Sequence, residues 1–366
     1  MSNRFLSCLL AVSLSSGVLV MGQKKLKPYS ELPVIQKKEA EANTQVLPLP
    51  KEPPPAVAAD TGKLVFSTIP LAGKGLLSQQ TRDALRGLVR ARGSLNVVKL
   101  RAFVAGSGDT RRVQEITGEV FSDKHQDIPA LSVVQVGALP LEGAQIMLEV
   151  TAVDRKVVNP NGLGFFSAQT GSSVADAAAK LQAAFAKADL QPSDAVRVTC
   201  FVNSIDAAGD WHAPLAPFSA AAVGLVQMMR DAIGPNAACE GVARLKSPPA
   251  QPVTFVDSAP GQSAAALVNT PSVILTGIQM AFGQKQDDVR QGYGRLNRVL
   301  NALNSDFSRV VSAGTYLLFS SVSGPAQAER IELAGKESAP ASTVLPFEGL
   351  ASSDATMGVD VVAVPR

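Results

Sequence analysis

The chain has 366 residues, enough for two or three domains, and an ordinary globular composition of 46% apolar and 18% charged residues. Aromatics are only 5%, so the core has to be built from Val, Leu, Ile and Ala, and a formal net charge of +3 at this length neither demands nor excludes an acidic partner. With only two histidines, His125 and His212, lying far apart, the chain has little from which to build a Ser-His-Asp site or a zinc site.

Taken in order, the chain opens with Arg4 and an uncharged run from Phe5 to Val20, followed by Val20-Met21-Gly22, small residues of the kind a signal peptidase reads. Residues 1–22 are therefore expected to be a secretory signal peptide. The run is short and serine-rich for a bilayer span, so stable membrane insertion after cleavage is not expected. Cys8 lies inside the run. Residues 23–61 carry six lysines, including Lys24, Lys25 and Lys51, together with Pro53-Pro54-Pro55, and read as a solvated linker.

From there the chain repeats itself. Val97 to Val104, VVKLRAFV, alternates with a period of two: Val98, Leu100, Ala102 and Val104 on one face, Lys99, Arg101 and Phe103 on the other. The stretch returns as AVRVTCFV at Ala195 to Val202 and as VVSAGTYL at Val310 to Leu317. Phe103, Phe201 and Tyr316 then share one position, and Ala102, Cys200 and Thr315 share the one before it. Such recurrence implies three tandem units of one design, residues 62–158, 159–260 and 261–366.

In the first unit the pattern predicts a strand at Leu64 to Ile69, a helix over Gln79 to Arg92, the strand at Val97, a helix over Thr110 to Phe121, and strands over Leu131 to Leu139 and Ala144 to Val153. The second unit is predicted to have a strand at Phe165-Phe166, helices over Val174 to Lys187 and Pro217 to Ile233 on either side of the strand at Ala195, and strands over Ala237 to Leu245 and Val253 to Asp257. The third is predicted to follow the same order, with strands at Val273 to Thr276, Val310 to Leu318, Ser342 to Leu350 and Met357 to Val364, and helices over Val289 to Leu303 and Ala326 to Ala334. This order implies an α+β sheet with helices on one face of each unit. The bulky groups on the other face need a cover, most simply the matching faces of the other two units. Cys200 and Cys239, the cysteines outside the leader, would pair in an oxidising compartment; otherwise they are two small buried thiols.

Several stretches together resemble a known family. Leu64-Val65-Phe66-Ser67 with Ile69-Pro70, the VVKLRAFV strand, Pro129-Ala130-Leu131-Ser132-Val133, Ala138-Leu139-Pro140 and Met147-Leu148-Glu149-Val150-Thr151-Ala152 are similar to the RidA (YjgF) family of imine deaminases, also called endoribonuclease L-PSP. Pro340-Ala341-Ser342-Thr343 and Gly349-Leu350 carry the likeness into the third unit, and Ala243-Arg244-Leu245 carries it weakly into the second. The resemblance implies chorismate-mutase-like units, outer helices around an inner β-barrel, and ligand clefts between neighbours. Three units in one chain imply a covalent pseudo-trimer that is a monomer in solution and whose clefts are free to diverge.

The resemblance also supplies candidate site residues. The family's late acid, which positions the attacking water, corresponds to Glu149 and Asp360, with Asp257 a looser match. The family's carboxylate-clamping arginine follows Pro-Ala, a position held here by Leu131, Ala237 and Ser342, and the family tyrosine is replaced near Pro55 and Ser263. A guanidinium fork fits a carboxylate in a way few side chains copy, so the usual imino-acid substrates lose their clamp. Arg101 is the candidate substitute from another strand. Ser132, Ser342 and Thr343 are candidate ligand contacts through their hydroxyls, or residues that merely begin a strand. Glu149 is either a water-positioning acid or a structural partner of Lys99 or Arg101, because a buried carboxylate needs a partner. No basic stripe interleaves with stacking aromatics, so a nucleic-acid partner is not expected. No cofactor is implied.

The sequence therefore points to an exported, RidA-like protein that has diverged from imine deamination and binds a small molecule at inter-unit clefts. The alternative is an active enamine or imine deaminase with altered substrate recognition.

Overall fold

The computed structural model describes residues 51–366 except 92–94, 107, 231–233, 260 and 336–338. The expected signal peptide and most of the expected linker lie outside the described residues. Within the linker's last residues, Ala56–Asp60 form a strand, β1, which a short 3-10 turn joins to β2 (Leu64–Thr68). Then follow α1 (Leu77–Ala91), β3 (Asn96–Ala105), α2 (Thr110–Asp123), β4 (Ala130–Val136) and β5 (Ile146–Val153). The middle of the chain has β6 (Leu163–Gly171), α3 (Val174–Lys187), β7 (Ala195–Val202), the single-turn helices α4 (Ile205–Ala208) and α5 (His212–Leu215), β8 (Ala222–Gln227), β9 (Ala237–Arg244), β10 (Val253–Val256) and β11 (Ala265–Val268). The last part has β12 (Ser272–Thr276), β13 (Gln279–Phe282), α6 (Gln286–Ala302), β14 (Val310–Leu317), α7 (Ser323–Ala334), β15 (Ala341–Pro346), β16 (Gly349–Leu350) and β17 (Ala355–Ala363).

These strands form three mixed sheets, and one order recurs inside each: β4-β3-β5-β2, β8-β7-β9-β6 and β15-β14-β17-β12. The central strand is parallel to its first neighbour and antiparallel to its second, as with β3 between β4 and β5. A parallel neighbour requires a crossover. Helices α2 and α7 supply it in the outer thirds, where Val113, Ile116 and Val120 of α2 are buried beneath its Asp109 N-cap. In the middle third the crossover runs through α4 and α5, and the helix expected over Pro217 to Ile233, whose last three residues lie outside the described residues, gives way to β8. Pro214 and Pro217 interrupt a helix there, and Val223 and Val226 suit the edge position beside β7.

Each sheet packs its own helices on one face, giving three outer cores built around Leu85, Leu100 and Ile116, around Leu181, Phe185 and Val198, and around Tyr293, Leu296 and Val359. The other faces meet in two inner clusters. One holds Phe103, Phe201, Tyr316 and Phe347; their rings touch edge-on or tilted at centroid distances of 5.3 to 5.9 Å. The second holds Leu64, Val98, Leu163, Phe165, Val273 and Val311.

Val98 corrects the simple alternation of VVKLRAFV. A bulge between Val97 and Lys99 turns Val97 toward the helices and Val98 inward, so that Leu100, Ala102 and Val104 stay outside while Lys99, Arg101 and Phe103 stay inside. The same irregularity falls at Ala195/Arg197 and at Val310/Ser312, where Val196 and Val311 turn inward.

The expected inner barrel is not formed: the described sheets remain separate. Their inward side chains fill the space between them, and their edges meet through isolated contacts, the bridges Ala138–Gln227 and Ser263–Ala341 and the bond from Ile278 N to Leu131 O at 3.2 Å. Two strands cross between them: β16, a short segment of the last third, pairs with β4, and β1, which precedes the strands of the first sheet, pairs with β12 of the third.

Cys200 and Cys239 face each other across β7 and β9 and form a disulfide inside the middle outer core. They lie 39 residues apart, and closing a loop of that size stabilises a fold by about 4 kcal/mol on the chain-entropy model. Denaturant unfolding with and without reductant should therefore differ by a few kcal/mol. Identical midpoints in the two conditions would show that the bridge constrains nothing.

Candidate functional site

Between the two inner apolar clusters lies a polar layer supplied by all three sheets. Strand register places an acid at one position in each: Glu149 opposite Arg101, Glu240 opposite Thr199, and Asp360 opposite Gly314. Lys99 and Arg197 enter the same layer from β3 and β7. Three cations and three carboxylates thus meet where little water reaches.

The contacts cross from sheet to sheet. Arg101 donates through Nε to Glu149 Oε2 at 2.7 Å and through Nη2 to Glu240 Oε1 at 2.6 Å and to Thr199 Oγ1 at 3.2 Å. Thr199 in turn donates to Glu149 Oε1, and Thr343 donates to Glu240 Oε2. Lys99 Nζ donates to Ser132 Oγ at 2.6 Å, to Asp360 Oδ2 at 3.0 Å and to the Thr276 carbonyl. Ser132 donates to Asp360 Oδ2, and the Tyr316 hydroxyl donates to Asp360 Oδ1 at 3.2 Å. Arg197 stands 3.7 Å from Glu240. The guanidinium of Arg101 also lies over the rings of Phe103 and Phe201, at 5.1 and 5.9 Å from their centroids.

Gly314 is required by this layer. A Cβ there would stand 2.7 Å from Asp360 Oδ1 and 3.0 Å from the Tyr316 hydroxyl, so the third sheet makes room for that pair by carrying no side chain where the first carries Arg101.

Burial and partner charges set the protonation states. Burial pushes the Asp360 carboxyl up, but Lys99 and Arg101 outweigh it and hold the group below its ordinary range. Burial acts likewise on Glu240, and Arg101 and Arg197 prevail to lower it. Burial lowers Lys99 more than Asp360 restores it. Burial, followed by the nearby Asp360 charge, holds the Tyr316 phenol well above its usual value, so it stays a donor.

The structure brings Glu149, Asp360, Arg101, Ser132 and Thr343 together. It does not bring Leu131 or Ser342 with them. Each precedes an inward residue by one position, and the period-two strand turns it away. Leu131 packs in the outer core beneath the helices of the first sheet. Ser342 donates its hydroxyl to the Pro340 carbonyl at 3.0 Å and its amide to Ser167 Oγ at 2.8 Å. The residue that corresponds to Leu131 and Ser342 in the middle sheet is Val223, not Ala237, by the registers of β4, β8 and β15.

Asp257 is not the acid of the middle sheet. It lies outside the strands, with backbone φ of 48°, and pairs with Lys187 at 2.5 Å near the surface. Glu240 takes that place, and its signal was present in Ala238-Cys239-Glu240-Gly241-Val242, which alternates as Leu148-Glu149-Val150 does.

The arrangement leaves no carboxylate oxygen idle: both oxygens of Glu149, of Glu240 and of Asp360 accept at least one hydrogen bond. The cavity at this centre measures about 60 Å³, room for water but far below the few hundred Å³ that small-molecule sites occupy.

Residues 57–154 match the family model described as Endoribonuclease L-PSP. No curated protein matches the chain. Solved structures align with about a third of it. A member of the YjgF protein family from Neisseria meningitidis is 18% identical, covering 31% of this chain and 95% of its own, with a TM-score of 0.24. A putative endoribonuclease L-PSP from Entamoeba histolytica is 20% identical over 31% of this chain and 98% of its own, with a TM-score of 0.24. A member of the YjgF/YER057c/UK114 family from Mycobacterium tuberculosis is 16% identical over 30% and 98%, also with a TM-score of 0.24.

The lowered carboxyls of Glu240 and Asp360 predict an acid limb in stability. Because their folded values lie below the unfolded ones, their contribution is fully present above about pH 4 and is lost as pH falls through the lowered values. Urea unfolding between pH 2 and pH 6 should show stability falling steeply on the acid side for the wild type and less steeply for Glu240→Gln and Asp360→Asn. Equal slopes in all three proteins would contradict this.

Proposed function

We propose that this chain is an exported, monomeric relative of the RidA (YjgF, endoribonuclease L-PSP) proteins, built as a pseudo-trimer of three fused units, and that it binds rather than deaminates. The family match of residues 57–154 and the strand order shared by the three sheets support the unit reading. The Cys200–Cys239 disulfide and the uncharged run before Val20 support export.

The observation that carries the loss of catalysis is the occupancy of the acids. A carboxylate that positions an attacking water needs a lone pair and room for the water and the imine. Here Arg101 and Thr199 hold Glu149, Arg101 and Thr343 hold Glu240, and Lys99, Ser132 and Tyr316 hold Asp360. The arginine expected after Pro-Ala is absent from all three sheets, whose corresponding residues are Leu131, Val223 and Ser342. Arg101 is committed to two acids and has no fork to offer a substrate. A small-molecule ligand belongs at the seams between units, since the central cavity is too small for one.

A second reading, an imine deaminase with altered recognition, draws on one observation: the acid recurs in every sheet. The test separates them. Losing a bidentate charged contact costs a few kcal/mol, roughly 100-fold or more in transition-state binding. With 2-iminobutanoate or 2-iminopropanoate generated by an amino-acid dehydratase, decay in the presence of this protein should match the blank. Rates equal to those of an active imine deaminase would reverse the conclusion, and Arg101→Ala and Glu149→Ala would then identify the clamp and the acid.

A further inference from the structure

The strand position shared by Ala102, Cys200 and Thr315 faces the helices. In the first sheet it is apolar and in the second it carries the disulfide. In the third it is a hydroxyl, and two more polar groups stand with it. Tyr293 of α6 is 1% exposed, Thr315 of β14 is 2% exposed and Arg330 of α7 is 4% exposed. The Tyr293 hydroxyl, Thr315 Oγ1 and Arg330 Nε are all enclosed and have no hydrogen-bond partner.

The three converge. The Tyr293 hydroxyl lies within electrostatic reach of Arg330 and beside the Thr315 hydroxyl, without a bond of proper geometry between the two hydroxyls. Burial pushes the Arg330 guanidinium below its ordinary value, and no acid offsets it. The neighbouring acid Glu329 is already engaged, accepting from Gln286 Nε2 at 3.1 Å and pairing with Arg290 at 3.4 Å. Arg330 itself makes no ion pair with any described residue.

A buried guanidinium cannot escape by losing its proton, and enclosing it without an anion costs several kcal/mol. Orphaned hydroxyls add to that cost. A guanidinium fork with two hydroxyl donors is the donor set that a carboxylate satisfies. The Glu329 charge alongside disfavours a second negative charge on whatever enters.

We propose that Arg330, Tyr293 and Thr315 form a binding site for a small monocarboxylate anion between α6, α7 and the third sheet. The site is independent of the ionic centre, which lies on the opposite face of β14.

The experiment is thermal melting of the full chain at pH 7 and constant ionic strength, with chloride replaced stepwise by acetate, by formate or, as a comparison, by phosphate. A ligand that binds only the folded state raises the melting temperature with its concentration. The wild type should rise with acetate and formate, and Arg330→Met should not respond. Arg330→Met should also melt no lower than the wild type in chloride alone, because it removes an unpaired buried charge. Tyr293→Phe, which keeps the ring and its packing, should weaken acetate binding by ~5-fold, and it carries the test should Arg330→Met fail to fold. The proposal is overturned by an acetate response equal in wild type and variants, by no response in the wild type, or by a response to phosphate alone.

Discussion

The structure depends on one constraint: three sheets turn their inner faces toward each other, and each brings an acid to the same level. Uncompensated, three buried carboxylates would force the sheets apart. The compensation comes across the seams. Arg101 of the first sheet bonds Glu240 of the second, Lys99 of the first bonds Asp360 of the third, and Thr343 of the third bonds Glu240 of the second. Every pair of sheets is thereby joined by at least one charge-assisted bond. The aromatic cluster of Phe103, Phe201 and Tyr316 lies to one side of this layer, and the Leu64, Val98 and Val311 cluster to the other. Exclusion of water strengthens each bond and raises the cost of breaking it. Such a layer is poor evidence for raw stability, because apolar residues of the same volume often do as well. What it supplies is register, since a sheet that slips by one residue would bury unpaired charges.

Much of this was legible in the sequence. The threefold recurrence of VVKLRAFV, with aromatics at Phe103, Phe201 and Tyr316, located the central strand of each sheet, and alternation placed Lys99, Arg101 and Glu149 on the inner side. What alternation could not carry was the bulge. One extra residue at Val98, Val196 and Val311 reverses the faces on its N-terminal side, and nothing in the residue types marks it. The middle third misled for a related reason. Ala-rich stretches around Ala220 and Ala221 read as helix, yet the place beside β7 demanded a strand, and tertiary pairing overrode propensity. That single displacement moved the alignment from Val223 to Ala237 and hid Glu240 behind Asp257. Closure into a barrel was also beyond the pattern, because the volume of the inward side chains decides how near two sheet edges come.

The outer cores show how the three sheets differ. One strand position carries Ala102 in the first sheet, the disulfide cysteine Cys200 in the second and Thr315 in the third. In a symmetric assembly of separate chains a change at this position would be made three times at once; within one chain each sheet can carry its own residue.

The central claim is that the ionic layer is a structural tie between sheets, and a double-mutant cycle on Lys99 and Asp360 measures it most directly. Lys99→Met and Asp360→Leu should each destabilise the protein by about 3–5 kcal/mol, because each strands the partner's charge. The double variant should cost much less than their sum, giving a coupling of about 2 kcal/mol or more in urea unfolding at pH 7. Additive effects, with a coupling below about 0.5 kcal/mol, would mean that the pair does not hold the first and third sheets together.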